Sequence, residues 1–351
     1  MTGPANPGQG TGLWSAARLL VLAAAIGAGA LLVWHLAQVL LLLFGSVLVA
    51  ILLRSIAGPV ARHTPIPDRL AVASAALLIL VLLVGFALLL GAQIRAQGTA
   101  LLERLPDLVR AVEDQVGADA LGEWLDQQRG QGLAGADLVA SLAGYTTRAI
   151  TAAAKLVVML AAGIYLALNP ALYLNGILKL VPPSRQQMAR YTVSALGQAL
   201  KLWLVGQLAA MMVVGALVTL GLTVLEIPSA LALGFMAGLF EFVPFVGPVA
   251  SALPAVASGL TDSPRSALWV AGLYVLVQQA EGMLILPLLQ QRTVSLPPVL
   301  TIFAVLSFGV LFGPLGLILA TPLAVVCLVL VKKLWMCEVL HEKVSVPGEE
   351  A

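Results

Sequence analysis

Residues 241–248 read Glu-Phe-Val-Pro-Phe-Val-Gly-Pro, and Pro254 follows within the same apolar stretch at 229–260. Each proline lacks a backbone N–H and displaces the carbonyl four residues earlier from helical hydrogen bonding. Pro244, Pro248 and Pro254 therefore forbid a continuous helix here. In lipid, a broken backbone is tolerated only where protein buries it or where it lines a wet cavity. The stretch predicts an interrupted helix inside a membrane-embedded bundle.

Composition supports lipid as the main solvent of this chain. Of its 351 residues, 60% are hydrophobic and only 10% are charged, whereas about 25% charged residues is usual for soluble proteins. The net charge is +2 with no dense basic run, so nucleic acid is not an expected partner. Cys327 and Cys337 show no zinc-ligand spacing, and we predict two packed thiols and no cofactor or metal.

The apolar runs predict an all-α, polytopic membrane protein with about eight membrane segments, some of them broken by proline and glycine or re-entrant. Within the first part we predict separate spans at 13–33, 36–53 and 70–92. The predicted parts are a flexible tail (1–12), membrane helices one to three (13–92), an amphipathic helical segment outside the bilayer (93–146), a membrane core (147–335) and a cytoplasmic C-terminal tail (336–351).

The distribution of basic residues predicts the orientation, because cytoplasmic loops are enriched in lysine and arginine. Arg54, Arg62, Arg185 and Arg190 all fall inside if both termini are cytoplasmic, and the acidic segment 93–146 then lies outside. Charge does not decide whether 229–260 and 299–333 cross the bilayer or turn back within it. The predicted location is the inner membrane of a bacterial cell.

Glu241 is the most informative single residue. A carboxyl group deep in hydrocarbon is costly and is usually paired, protonated or turned toward water. Such a group suits proton or cation coupling. The alternative is that Glu241 sits near the interface as a hydrated helix-end residue.

A second polar group follows on the next predicted helix. Gln278 and Glu281 are three residues apart and share a helix face, and Tyr274 extends the same stripe. On the 196–225 helix, Lys201 could pair with a carboxylate. For Gln198 and Gln207, hydrogen bonding between helices is the favoured interpretation.

Small residues form a third pattern. Gly234 and Gly238, like Gly309 and Gly313, have the GxxxG spacing that lets helix backbones approach closely. Gly313-Pro314-Leu315-Gly316 predicts a turn inside an apolar run. The sequence has no glycine-rich loop ending in Gly-Lys-Ser/Thr and no GxSxG motif, so we expect neither ATP binding nor enzymatic activity.

These motifs resemble the AI-2E (autoinducer-2 exporter) family of transporters, most densely between residues 164 and 335. Residues 241–248 with Pro254 resemble the aromatic-containing segment of that family that ends in Gly-Pro, although the family often has Asn at the position of Glu241. Residues 278–287, 296–298 and 311–324 resemble its following elements. The resemblance implies roughly eight membrane segments and secondary transport, with autoinducer-2 export in some members and sodium/proton antiport in others.

The sequence thus predicts an ATP-independent carrier that exports a small polar solute, such as autoinducer-2. A monovalent cation/proton antiporter and a non-transporting scaffold organised by 93–146 are the alternatives. The expected partners are the lipid bilayer, the solute or a monovalent cation or proton, and other copies of the chain in a homo-oligomer. Residues predicted to line the pathway are Glu241, Pro244, Gly247, Pro248, Pro254, Gln278, Glu281, Gly313 and Gly316.

Overall fold

The computed structural model describes residues 10–85, 87–88, 91, 135–285, 287, 296–337 and 340–341, and within them the regular structure is helical. The helices are α1 (Gly10–His63), α2 (Asp68–Gly85), α3 (Gly135–Leu168), α4 (Pro170–Lys179), α5 (Gln186–Val224), α6 (Ala230–Phe240), α7 (Val246–Asp262), α8 (Pro264–Ala280) and α9 (Pro298–Leu330). A 3₁₀ turn (Pro183–Arg185) precedes α5, and π-helical turns extend α8 (Glu281–Ile285) and α9 (Val331–Cys337).

Six helices in the described ranges are long and apolar enough to cross a bilayer. Their candidate spans are Leu20–His63, Asp68–Gly85, Ile150–Leu168, Pro183–Val224, Pro264–Ile285 and Pro298–Cys337. The prediction of an all-α, polytopic membrane protein is confirmed.

The predicted separation of 13–33 from 36–53 is wrong, because both runs lie in the single 54-residue helix α1. No proline or glycine interrupts the sequence where the two runs meet, at Trp34-His35. Helical hydrogen bonding therefore continues through the junction. Most of the predicted segment 93–146 falls outside the described residues, and its last part, 135–146, begins α3.

α1 and α3 run parallel. Met159 packs at Gly45, Val49 packs at Gly163, and nearer the end of both helices Arg54 Nε donates a 2.7 Å hydrogen bond to the carbonyl of Ala167. Arg54 Nη1 also lies 3.0 Å from Asp68 Oδ2 at the start of α2. This guanidinium therefore joins the start of α2 and the end of α3 to the last third of α1 at one level.

α5 and α6 are antiparallel and approach through glycines. A Cβ placed at Gly238 would lie 2.5 Å from the Met211 carbonyl oxygen and 3.1 Å from the Cα of Gly215, and one placed at Gly234 would overlap Thr219. The two backbones can touch here only because side chains are absent.

α6 and α7 form a hairpin that turns back. α6 has only 11 residues, so it is about 16 Å long, roughly half of a hydrocarbon core of about 30 Å. It ends at Glu241, and α7 begins at Val246 after a turn in which Phe245 takes a left-handed φ of 67°. The stretch 229–260 therefore re-enters rather than crossing.

α9 is a second hairpin, made of two helical halves that meet at Gly313. Gly313 has φ 68° and ψ −152°, a conformation open essentially to glycine alone. A Cβ at Gly316 would overlap the Phe308 carbonyl, although residues eight apart on a straight helix are separated by about 12 Å. The chain therefore reverses at Gly313, and the stretch 299–333 also turns back.

Packing at the α5–α6 contact gives a first prediction. We expect Gly238→Ala to lower stability by about 1–3 kcal/mol, because the added methyl group meets the carbonyl of Met211 and the backbone of Gly215. Thermal unfolding of the detergent-solubilised protein measures this. Gly272→Ala is the matched control, since a Cβ there meets nothing within 4 Å. Equal melting temperatures for both variants would contradict the close approach.

The reversal at Gly313 gives a second prediction. Gly313→Ala forces a side chain into a disfavoured backbone region at a cost of order 1–3 kcal/mol, even though space beside Gly313 is open. We expect lower thermal stability than for Gly272→Ala. An unchanged melting temperature would mean that α9 runs straight.

Candidate functional site: a carboxyl pair at the tip of a broken helix

Glu241 stands at the tip of the first hairpin. Its side chain is 3% exposed. The Oε2 atom receives no hydrogen bond from any residue that the structure describes. A buried carboxyl oxygen without a donor is costly, which marks this position as a candidate site rather than a plain helix end.

The prolines and Gly247 shape the turn that presents Glu241. Pro244 lies within the turn, Pro248 lies in the first turn of α7, and Pro254 lies inside α7. A Cβ at Gly247 would overlap the carbonyl oxygen of Phe240. Only glycine allows α7 to begin so close to the end of α6, and this closeness keeps Glu241 at the tip.

Glu281 supplies a second carboxyl group from the end of α8. It begins the π-helical turn, a widening of the helix that is frequent at functional sites. Its carboxyl group lies beside that of Glu241, and the amide Nε2 of Gln278 donates a hydrogen bond to Glu281 Oε2. The structure thus brings Glu241, Gln278 and Glu281 together, as the sequence-based site requires.

The two carboxyl groups are neighbours, which favours a shared proton. Two ionised carboxylates are both acceptors and repel each other, so a state in which one of them is protonated is favoured. The arrangement can therefore exchange a proton, or replace it with a cation that neutralises the same charge.

Gln207 on α5 satisfies the backbone at the break. Its Nε2 donates a 2.8 Å hydrogen bond to the Glu241 carbonyl oxygen. That carbonyl lies at a helix C-terminus, where no partner within the helix remains. The sequence favoured a hydrogen bond between helices for Gln207. Gln207 makes such a bond, and its acceptor is the backbone of the candidate site.

The depth of the site follows from the position of Gln207. Gln207 lies about 26 Å along α5 from Val224 and about 32 Å from Gln186 at 1.5 Å per residue. The Glu241 tip is therefore level with the middle of α5. It lies well away from both ends of that helix.

Tyr274 and Lys201, which the sequence also singled out, do not contact the carboxyl pair through the hydrogen bonds described above. Tyr274 is buried, and its hydroxyl donates a 3.2 Å hydrogen bond to the Ser251 carbonyl, which ties α8 to α7. Lys201 is exposed on α5, and Glu281 accepts its hydrogen bond from Gln278 rather than from this lysine.

The two hairpins share one apolar core. The ring of Phe242, next to Glu241, lies edge-on to Trp203 of α5 at 5.8 Å between centroids. Phe312, next to Gly313, packs on the same cluster, which also contains Leu200, and its ring lies 6.2 Å from that of Trp34. Gly313 and Gly316 are thus linked to the site only through the shared packing of Phe312 and Phe242.

Sequence reasoning missed two residues of interest. Trp203 contacts Phe242 beside the site, and its position four residues before Gln207 on the same helix was the available signal. Lys155 is half-buried within the Ile150–Leu168 span. A lone lysine in an otherwise apolar run is the pattern that marks it.

A model of the AI-2E family of transporters matches residues 20–336 of this sequence. The chain belongs to the AI-2E transporter family. A Mycobacterium tuberculosis protein named "Putative transport protein" is 30% identical over 330 residues, 89% of this chain and 87% of its own length.

Two further relatives extend the AI-2E comparison. Bacillus subtilis YueF, also named "Putative transport protein", is 27% identical over 80% of this chain and 81% of its own length. The "AI-2 transport protein TqsA" of Escherichia coli is 23% identical over 64% of this chain and 63% of its own length. The family membership implies a transporter rather than an enzyme.

The carboxyl pair of this AI-2E transporter gives a third prediction. We expect infrared difference spectra between low and high pH of the membrane-embedded protein to contain a protonated-carboxyl C=O band, which shifts in frequency in both Glu241→Gln and Glu281→Gln because each removes one partner. Glu226→Gln, at the exposed turn after α5, is the control and should leave the band unchanged. A band unchanged in both site variants would contradict a shared proton.

Proposed function

We propose that this chain is an ATP-independent secondary transporter that exports a small polar solute, with autoinducer-2 as the first candidate. Family membership supports transport. The name of the Escherichia coli relative, "AI-2 transport protein TqsA", is the reason for testing autoinducer-2 first. At 23% identity the substrate of that relative is a hypothesis for this chain.

The observation that carries the proposal is the pair of carboxyls at the tip of a hairpin that stops halfway along α5. Secondary transporters commonly place interrupted helices at membrane depth, where freed backbone groups and polar side chains face the solute. Here the interruption offers Glu241, Gln278 and Glu281 on two different helices. Pro244, Gly247, Pro248 and Pro254 give the hairpin its shape, and Gly313 and Gly316 shape the facing hairpin.

The proton on the carboxyl pair offers a source of coupling. While the proton is shared, the α6–α7 tip is attached to the end of α8. When the proton leaves, two negative charges repel each other and favour separation of the tip from α8. A proton gradient would thereby bias the hairpin between two positions, which is the requirement for alternating access without ATP.

The same pair favours a second candidate, a monovalent cation/proton antiporter. A cation that takes the place of the shared proton neutralises the same charge, so the site would bind one or the other. In this version the cation is itself the transported species, and no separate solute pocket is needed. The third possibility, a scaffold organised by 93–146, depends on residues mostly outside those described.

For membrane orientation we propose that the ends of α1 and α3 tied by Arg54 face the cytoplasm of a bacterial inner membrane, together with Lys179, Arg185 and the C-terminal tail. α1 is one helix and crosses once, so its beginning lies on the opposite side. The sequence-based prediction that both termini are cytoplasmic needed residues 13–53 to cross the bilayer twice. We further propose assembly as a homo-oligomer.

A flux assay tests the role of the site. In proteoliposomes with an imposed pH gradient, we expect Glu281→Gln and Glu241→Gln to reduce solute export to the level of protein-free liposomes, because neither variant can release the shared proton. Glu226→Gln should transport like the wild type. Full, pH-dependent export by both site variants would remove the carboxyl pair from the mechanism.

The same liposomes separate the two candidate functions. Autoinducer-2 efflux with no dissipation of the pH gradient on adding Na⁺ supports solute export. Gradient dissipation by Na⁺ that is lost in Glu281→Gln supports antiport. If neither occurs and deletion of 93–146 abolishes a recovered partner complex, the scaffold interpretation replaces both.

A further inference from the structure

We propose that α4 and the basic residues that follow it form a docking surface for the headgroups of anionic phospholipids. This surface lies apart from the carboxyl pair, and the inference does not depend on which species the protein transports. The docking surface comprises residues 170–190.

The placement of α4 follows from the end of α3. Arg54 holds the carbonyl of Ala167, and α3 ends at Leu168. Asn169 then takes φ −134° and ψ 57°, outside the helical region, and Pro170 starts α4. The chain therefore changes direction at the level where the basic ends of α1 and α2 meet, and α4 starts at a membrane boundary.

α4 presents large apolar side chains outward. Leu172 is 67% exposed and Leu180 is 86% exposed, and Ile177 is also exposed, whereas Leu178 is buried against the rest of the protein. A helix of 10 residues is about 15 Å long and cannot cross the bilayer. Short helices with such faces lie in the plane of the interface with the apolar side in the acyl region.

The charges around α4 select the headgroup. Lys179, Arg185 and Arg190 are all exposed, and residues 169–190 include no aspartate or glutamate. The nearby acid Asp68 is already paired with Arg54. Basic side chains beside an interfacial helix attract anionic lipids of the cytoplasmic leaflet.

Continuity with the spanning helices favours lipid over a protein partner. α4 follows α3 after one residue and leads through the 3₁₀ turn at Pro183–Arg185 into α5. Both neighbours have apolar spans, so the surface beside α4 is already occupied by lipid. Because α4 leads into α5, which carries Gln207, headgroup binding would also fix the position of the helix that supports the hairpin.

Spin labelling tests the depth of α4. In a protein with Cys327→Ala and Cys337→Ala, labels at Leu172→Cys or Leu180→Cys are placed in nanodiscs containing phosphatidylglycerol. We expect these labels to be more accessible to oxygen than to a water-soluble nickel complex. A label at Ser184→Cys, exposed in the 3₁₀ turn, should show the reverse. Water-accessible labels at both leucines would overturn the proposal.

Lipid selectivity tests the charges. Phosphatidylglycerol should be enriched severalfold over phosphatidylcholine around the wild type, and Lys179→Gln/Arg185→Gln/Arg190→Gln should abolish most of that enrichment. Arg185→Gln alone should lower it more than Arg265→Gln, which changes one exposed charge at the start of α8. Equal enrichment in the triple variant and wild type would show that these residues do not bind anionic headgroups.

Discussion

The bond from Gln207 to the Glu241 carbonyl is the interaction on which the first hairpin depends. A helix that stops inside an apolar medium leaves its last carbonyls without partners, and lipid supplies none. One amide on α5 provides a partner at 2.8 Å. The glycines at positions 215, 234 and 238 bring the two backbones close enough for that reach. The close contact between α5 and α6 therefore makes the break in the helix possible.

With the backbone satisfied, the break can present a charged group. Glu241 meets Glu281 because the π-helical turn after α8 carries the second carboxyl to the tip of the hairpin, and Gln278 holds that carboxyl by its own side chain. The tip of the α6–α7 hairpin and the end of α8 thereby place two carboxyl groups side by side. The same side chains that join the hairpin to α8 are therefore also its ionisable groups.

Much of this arrangement was predictable from the sequence. Pro244 and Pro248 predicted the interruption because proline cannot continue helical hydrogen bonding. Gly313 predicted a turn because glycine adopts positive φ without a steric penalty. The unbroken course of α1 was not predicted, since hydropathy reports the length of an apolar run and not whether a helix bends between two runs. The pairing of Glu241 with Glu281 was not predicted either. Tertiary packing brings these two residues together, and the local spacing of Gln278 and Glu281 does not specify that packing.

The length of α1 has a mechanical consequence. Its 54 residues make a rod of about 81 Å, against about 40–45 Å for a bilayer with its headgroups. Such a rod must tilt steeply or project into water. Trp34 against Phe312 and Arg54 against Ala167 are two fixed points on it. Trp34 lies 20 residues, or about 30 Å, from Arg54 along this rod, so a rotation of α1 about Arg54 would displace Trp34 and its contact with Phe312 beside the tip of the second hairpin.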